Sequence, residues 1–167
     1  MKRCIVLCVG ISLFKVLKFF MNETPNLQRF IDAHRSDYAT ALEEIKNGKK
    51  LSHWMWYIFP QIEGLGKSYT SQKYAIHSLK EAKAFLEDPY LGKNLLEICD
   101  ALMQLETNNA TTLMGRPDDM KLKSSMTLFA YVADENSVFL RVLEKFFCGK
   151  QDGRTKRILS SIQIVKN

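Results

Sequence analysis

Two stretches of this chain concentrate the side chains that could do chemistry. The first, Ser52 to Ser68 (S-H-W-M-W-Y-I-F-P-Q-I-E-G-L-G-K-S), carries both tryptophans, a histidine, a Pro-Gln pair and a Gly-Leu-Gly turn. A histidine titrates near neutrality and suits proton transfer, so His53 is a candidate acid or base. Its plainer role is a ring bonded to backbone carbonyls beneath the aromatics, since no Asp or Glu lies close by to orient it. Trp54 and Trp56 offer faces on which a planar ligand stacks, although rings this large are first of all core material. Gln61 adds an amide. Gly64-Leu65-Gly66-Lys67-Ser68 ends like a phosphate loop, but that pattern needs a glycine where Gln61 stands, and no acidic strand end follows to hold magnesium. A weaker form survives, in which glycines entering a helix at Ser68 leave backbone N–H groups free for an anion. A Gly turn capped by Ser68 explains the same residues.

The second stretch runs from Met120 to Phe129 (M-K-L-K-S-S-M-T-L-F). On a helix Lys121 and Ser124 are neighbours at i,i+3, so they could act as base and nucleophile or jointly donate to a phosphate or carboxylate. Ser124, Ser125 and Thr127 have a duller role open to them, bonding back to carbonyls one turn earlier. Asp152 and Thr155 read as a helix cap.

Helical periodicity dominates the segments that must position these residues. Thr24-Pro25 signals a helix start, followed by Leu27, Phe30, Ile31, His34, Tyr38, Ala41, Leu42 and Ile45 at three- and four-residue spacing. Ser78 to Glu81 forms a capping box ahead of Leu79–Glu87. Asp88-Pro89 starts a helix carrying Leu91, Leu95, Ile98, Cys99, Leu102 and Leu105 on one side. Asn109 and Gly115 bracket a short turn, and Asp118 opens the helix through Phe129. Asn136 and Gly149 bracket another, and Asp152-Gly153 opens the last. Strand evidence is confined to the alternation Trp54, Trp56, Ile58, where Ser52 serves equally well as a helix N-cap, and to Ile162–Val165. The expected fold is a compact all-α, single-domain bundle of about seven or eight helices spanning residues 21–167.

The formal charge of +6 is unevenly spread. Residues 1–20 hold Lys2, Arg3, Lys15 and Lys18 without an acid, leaving the other 147 residues at only +2. Nucleic-acid binders cluster their cations, because counterion release scales with the phosphates contacted; the body shows only short basic runs. No CxxC occurs, and His34, His53 and His77 have no metal-ligand spacing to any cysteine, so no metal or cofactor is expected and buried free thiols are.

Residues 1–20 form an atypical apolar and basic leader. Three readings apply: an over-long gene model with Met21 as the biological start, an export or membrane signal, and a docked segment. The apolar run is shorter than the roughly 20 residues of a membrane helix and no small-x-small cleavage site follows it. Residues 21–167 give no membrane signal.

Taken in order, the blocks H-W-M-W-Y-I-F-P-Q (53–61), G-L-G-x-S (64–68), D-P-Y-L-G (88–92), K-L-x-S-S-M-T-L-F (121–129) and D-G-x-T (152–155) resemble the signature of the domain of unknown function 1810 family, some of whose members carry the label calpastatin. The resemblance runs from about Leu27 to Leu159 and leaves the leader outside. It implies a single, mainly helical domain in a bacterial-type cytoplasmic protein, and supplies no activity, substrate or catalytic residue.

Two functions follow as expectations. In the first, a pocket joins the two polar-aromatic stretches and binds a small, planar, anionic ligand such as a nucleotide derivative through His53, Trp54, Trp56, Gln61, Gly64, Gly66, Lys67, Ser68, Lys121, Ser124, Ser125 and Thr127. In the second, Trp54 and Trp56 form a protein-docking surface. Whether the domain is an enzyme, and its oligomeric state, are open at this level.

Overall fold

A computed structural model describes residues 25–164, and the leader therefore lies outside the described residues. Within them the chain forms nine helices and no strand. They are α1 (Gln28–Lys46), α2 (Met55–Ile58), α3 (Tyr69–Lys73), α4 (Leu79–Glu87), α5 (Leu91–Gln104), α6 (Ala110–Met114), α7 (Asp118–Val132), α8 (Val138–Phe147) and α9 (Gly153–Ile164). The all-α expectation holds; three helices of only four or five residues, α2, α3 and α6, enlarge the count.

Most caps follow the local chemistry read from the sequence. Ser78 Oγ accepts from Glu81 N at 3.1 Å, and Asn109 Oδ1 accepts from Thr112 N at 3.0 Å. Asp88 Oδ1 takes the N–H groups of Tyr90 and Leu91 ahead of α5. Each satisfies donors that a helix start leaves orphaned. Three expectations shift. Helix α1 begins at Gln28 rather than Pro25, because Asn26 Oδ1 accepts from Gln28 N at 2.9 Å and holds a turn before the helix. Trp54, not Ser52, occupies the N-cap of α2, since the Ser52 hydroxyl donates to Glu44 instead. The last helix runs on through Ile162 to Ile164, where a strand was a candidate.

Helix α7 is the hub. It packs against α2, α4, α6, α8 and α9, which buries Leu122, Ser124, Ser125, Met126, Thr127, Leu128 and Phe129. A helix enclosed on so many sides leaves little solvent for the hydroxyls along its packed faces. Ser124 therefore donates to Met120 O at 3.1 Å and Thr127 to Lys123 O at 2.8 Å. Around it an aromatic chain crosses the core: Phe30 meets Phe85 edge-on at 5.1 Å, Phe85 lies 5.5 Å from Phe129, and Phe129 lies 5.6 Å from Phe139.

His34 ties three helices together. Its Nε2 donates to Tyr57 O at 2.9 Å, and its Nδ1 accepts from Asn94 Nδ2 at 3.2 Å. Burial pushes its pKa down, so the ring is neutral and fixed in one tautomer by these partners. Cys99 is buried, its thiol pushed up by desolvation. Cys148 departs from the buried-thiol expectation: it is exposed in the left-handed C-cap of α8, at φ 51°. Among the described residues no group of three or more His, Cys, Asp or Glu is placed to hold a metal ion, and no helix is long and apolar enough to cross a membrane.

Candidate functional site

A single carboxylate near the end of α1 shapes the approach to the site. Glu44 is buried, and its Oε2 accepts from Leu51 N at 2.8 Å, Ser52 N at 3.1 Å and Trp54 Nε1 at 2.8 Å. The Ser52 hydroxyl donates to its other oxygen. Burial alone would raise its pKa; the four donors outweigh that and hold it at about 2. This anchor draws Trp54 into the core, 1% exposed. The next turn presents Trp56 half-buried at the surface of α2.

Trp56 forms one wall of a cleft of about 520 Å³ between the 61–71 segment, the start of α7 and the start of α9. Lys121 Nζ sits 4.4 Å from the Trp56 ring centroid and 2.8 Å from Asp118 Oδ1. The other Asp118 oxygen takes Lys50 Nζ at 2.7 Å. Burial opposes ionisation of Asp118, but the two lysines outweigh it and keep the carboxyl below its ordinary range.

The 61–71 segment is held at its base by one parallel bridge, with Ile76 N donating to Gln61 O at 2.8 Å and Glu63 N to Ile76 O at 2.9 Å. Its turn needs glycine. Gly64 has φ +95°, and a Cβ on Gly66 would stand 2.5 Å from both Cβ and Oγ of Ser71. Ser68 then caps α3, its Oγ accepting from Ser71 N at 3.2 Å, while Ser71 Oγ donates to Ser68 O at 2.7 Å. With five residues in α3 and its cap filled by Ser68, this is a capped glycine turn.

The structure thus brings Trp56, Gln61, Gly66, Lys67, Ser68, Lys121 and Ser124 to one cleft. The other sequence candidates lie elsewhere. His53 is exposed and does not line it; its carbonyl accepts from the Tyr57 hydroxyl at 3.3 Å. Trp54 is core, and its indole N–H belongs to Glu44. Gly64 would place a Cβ 3.5 Å from Ile158. Ser125 is fully buried, with no hydrogen-bond partner for its hydroxyl among the described residues. Thr127 spends its hydroxyl on Lys123 O and accepts from Asp152 N at 2.9 Å.

That last bond adds residues the sequence reading lacked. It pins the start of α9 to α7 and brings Asp152 and Arg154 to the cleft beside Pro117 and Met120. Asp152 does cap its helix, Oδ2 accepting from Thr155 N at 2.7 Å and Thr155 Oγ1 at 2.8 Å. A cap signal carries no information on which distant segment the cap faces, and no local pattern links residue 154 to residue 67.

Ser68, Ser71, Lys121 and Ser124 all have partners within the fold. Lys67 and Arg154 form no ion pair with any described residue, and the Gln61 amide makes no hydrogen bond to one. Lys121 is committed to Asp118 and Ser124 to Met120 O, so no base–nucleophile pair is assembled between them.

The family described as protein of unknown function (DUF1810) matches residues 24–159. The chain belongs to this family. Its match takes in every residue lining the cleft, from Trp56 to Arg154. This DUF1810 chain is also similar to a solved structure, that of the conserved hypothetical protein Rv1873 from Mycobacterium tuberculosis. The two share 41% identity and superpose with a TM-score of 0.79, over 81% of this chain and 96% of that one. No curated protein matches the chain.

Proposed function

We propose that the cleft binds a small anionic molecule with a planar part, a nucleotide monophosphate being the class that fits its parts best. The observation that supports this is the meeting of two cations, Lys67 and Arg154, neither paired with a described residue, beside a half-buried tryptophan. Both side chains are exposed at the cleft rim; a pair of cations without counter-charges favours an incoming phosphate, and Arg is suited to bidentate capture of its oxygens. Trp56, Leu65 and Met120 supply apolar surface for a base. A cleft of about 520 Å³ is of the size that small ligands occupy.

The buried free thiol of Cys99 is compatible with a reducing compartment and supports a cytoplasmic reading. The docking alternative is weakened because Trp54 is interior and withdraws half of the aromatic patch it needs. Calorimetric titration with adenosine 5′-monophosphate (AMP) at low and high salt tests the proposal. Saturable binding that weakens as salt rises supports it, and no heat of binding at low salt refutes it.

A further inference from the structure

Asp152 stands out in the cleft because its sign is wrong for a site that takes only phosphate. Its residue is 8% exposed, and it lines the same cleft as Lys67 and Arg154. Oδ2 is fully used, accepting from both the backbone N–H and the hydroxyl of Thr155. Oδ1 makes no hydrogen bond to any described residue. The carboxylate cannot turn to share its bonds differently without breaking the cap, and Thr127 Oγ1 holds the Asp152 backbone N–H at 2.9 Å. So the residue is fixed at both ends with one strong acceptor oxygen unspent. That oxygen is not among the sealed unpaired atoms of the described residues, so it is within reach of a donor that a ligand supplies.

An inorganic phosphate, acceptor-rich and anionic, is repelled there. A phosphate ester that also carries hydroxyl groups is not, since its phosphate meets Lys67 and Arg154 while a hydroxyl donates to the carboxylate. The Gln61 amide, also without a bond to a described residue, can serve the same polar edge. We infer that Asp152 Oδ1 is an acceptor for ligand hydroxyls, so that the cleft selects hydroxyl-bearing phosphate esters, such as ribonucleotides, over phosphate itself and over esters lacking those hydroxyls. This rests on the cleft being the anion site proposed above.

The test compares AMP with 2′,3′-dideoxy-AMP by calorimetry on the full chain, in wild type and in Asp152→Asn. Asparagine caps a helix as well as aspartate does, so its carbonyl oxygen can keep the Thr155 bonds while an NH₂ donor replaces the unspent oxygen. Chemical denaturation confirms that the variant is folded. Wild type is expected to bind AMP about tenfold more tightly than the dideoxy probe, the discrimination one hydrogen bond to a charged group gives. Asp152→Asn is expected to narrow that ratio severalfold, since a neutral NH₂ can bond a hydroxyl only as its donor and without charge assistance. Equal affinities in wild type overturn the assignment of Asp152 and leave the cation-based reading standing, and that comparison does not depend on the variant. Discrimination that is undiminished in Asp152→Asn assigns the hydroxyls to another residue and likewise overturns it. Absence of AMP binding in wild type removes both readings together.

Discussion

Lys121 Nζ lies over the Trp56 ring, 4.4 Å from its centroid, while its charge is paired with Asp118. The same carboxylate holds Lys50, whose Nζ is 5.0 Å from the Trp54 ring centroid. One aspartate at the start of α7 thus sets two ammonium groups, each over a different tryptophan, and joins α7 to the segment around α2. The core ring and the cleft ring are positioned by one polar cluster.

The consequence is an asymmetry between its members. Asp118→Asn leaves the Lys50 ammonium, with a side chain only 7% exposed, without its counter-charge. We expect a loss of about 3 kcal/mol in chemical denaturation, as for other broken buried pairs. Lys121→Met keeps the Lys50–Asp118 pair and costs about 1 kcal/mol, the scale of one cation–π contact and a part-exposed ion pair. Equal losses in the two variants would contradict the cluster's arrangement.

Glu44 sets the acid limit of the 50–54 segment. Its folded pKa of about 2 lies below the ordinary value of 4.5. The stability it contributes is therefore complete above about pH 4.5 and is lost as pH falls towards 2. Glu44→Gln puts an NH₂ group among donors and should cost about 2 kcal/mol at neutral pH. Denaturation midpoints across that pH window should fall more steeply in wild type than in the variant; parallel curves would remove Glu44 from this role.

Glycine substitutions separate close approach from mere turn preference. A Cβ on Gly92 would lie 2.0 Å from the Leu86 carbonyl oxygen, whereas one on Gly153 meets nothing within 4 Å. Gly92→Ala is expected to destabilise by about 3 kcal/mol, since backbone must move. Gly153→Ala should stabilise by about 0.5 kcal/mol through the unfolded chain. Thermal denaturation of the two variants reads both signs, and a destabilised Gly153→Ala would count against the described start of α9.

Ser125 offers a contrast within the central helix. Its hydroxyl is buried and without a partner among the described residues, so Ser125→Ala removes an unmet desolvation cost and should raise stability by up to about 1 kcal/mol. Lying outside the cleft, it should leave AMP affinity unchanged. A loss of binding in Ser125→Ala would place a functional group where the structure shows none.

The helices were legible because their signals are local. Ser78, Asn109 and Asp152 cap the segments that follow them, and the apolar spacing of α1 and α5 is the spacing of their buried faces. What failed was local chemistry overruled at a distance. Ser52 looked like an N-cap, but Glu44 takes its hydroxyl. Trp54 and Trp56 looked equivalent, yet that glutamate pulls one into the core and leaves the other at the cleft. The hydroxyl-rich run on α7 read as a possible site in full, but a helix packed on five sides divides it, with Ser124 at the cleft, Ser125 sealed inside and Thr127 turned to Asp152. Arg154 stood out in the sequence only as part of a short basic run, because its place depends on how α9 docks against α7.

The central claim is that Lys67 and Arg154 act together on one anion. Titrating AMP into wild type and into the Lys67→Ala/Arg154→Ala double variant tests it most directly, with chemical denaturation showing both to be folded. The account predicts saturable binding to wild type, weakened about tenfold or more in the double variant. Affinity that is the same in both proteins, or wild type that does not bind, would contradict it.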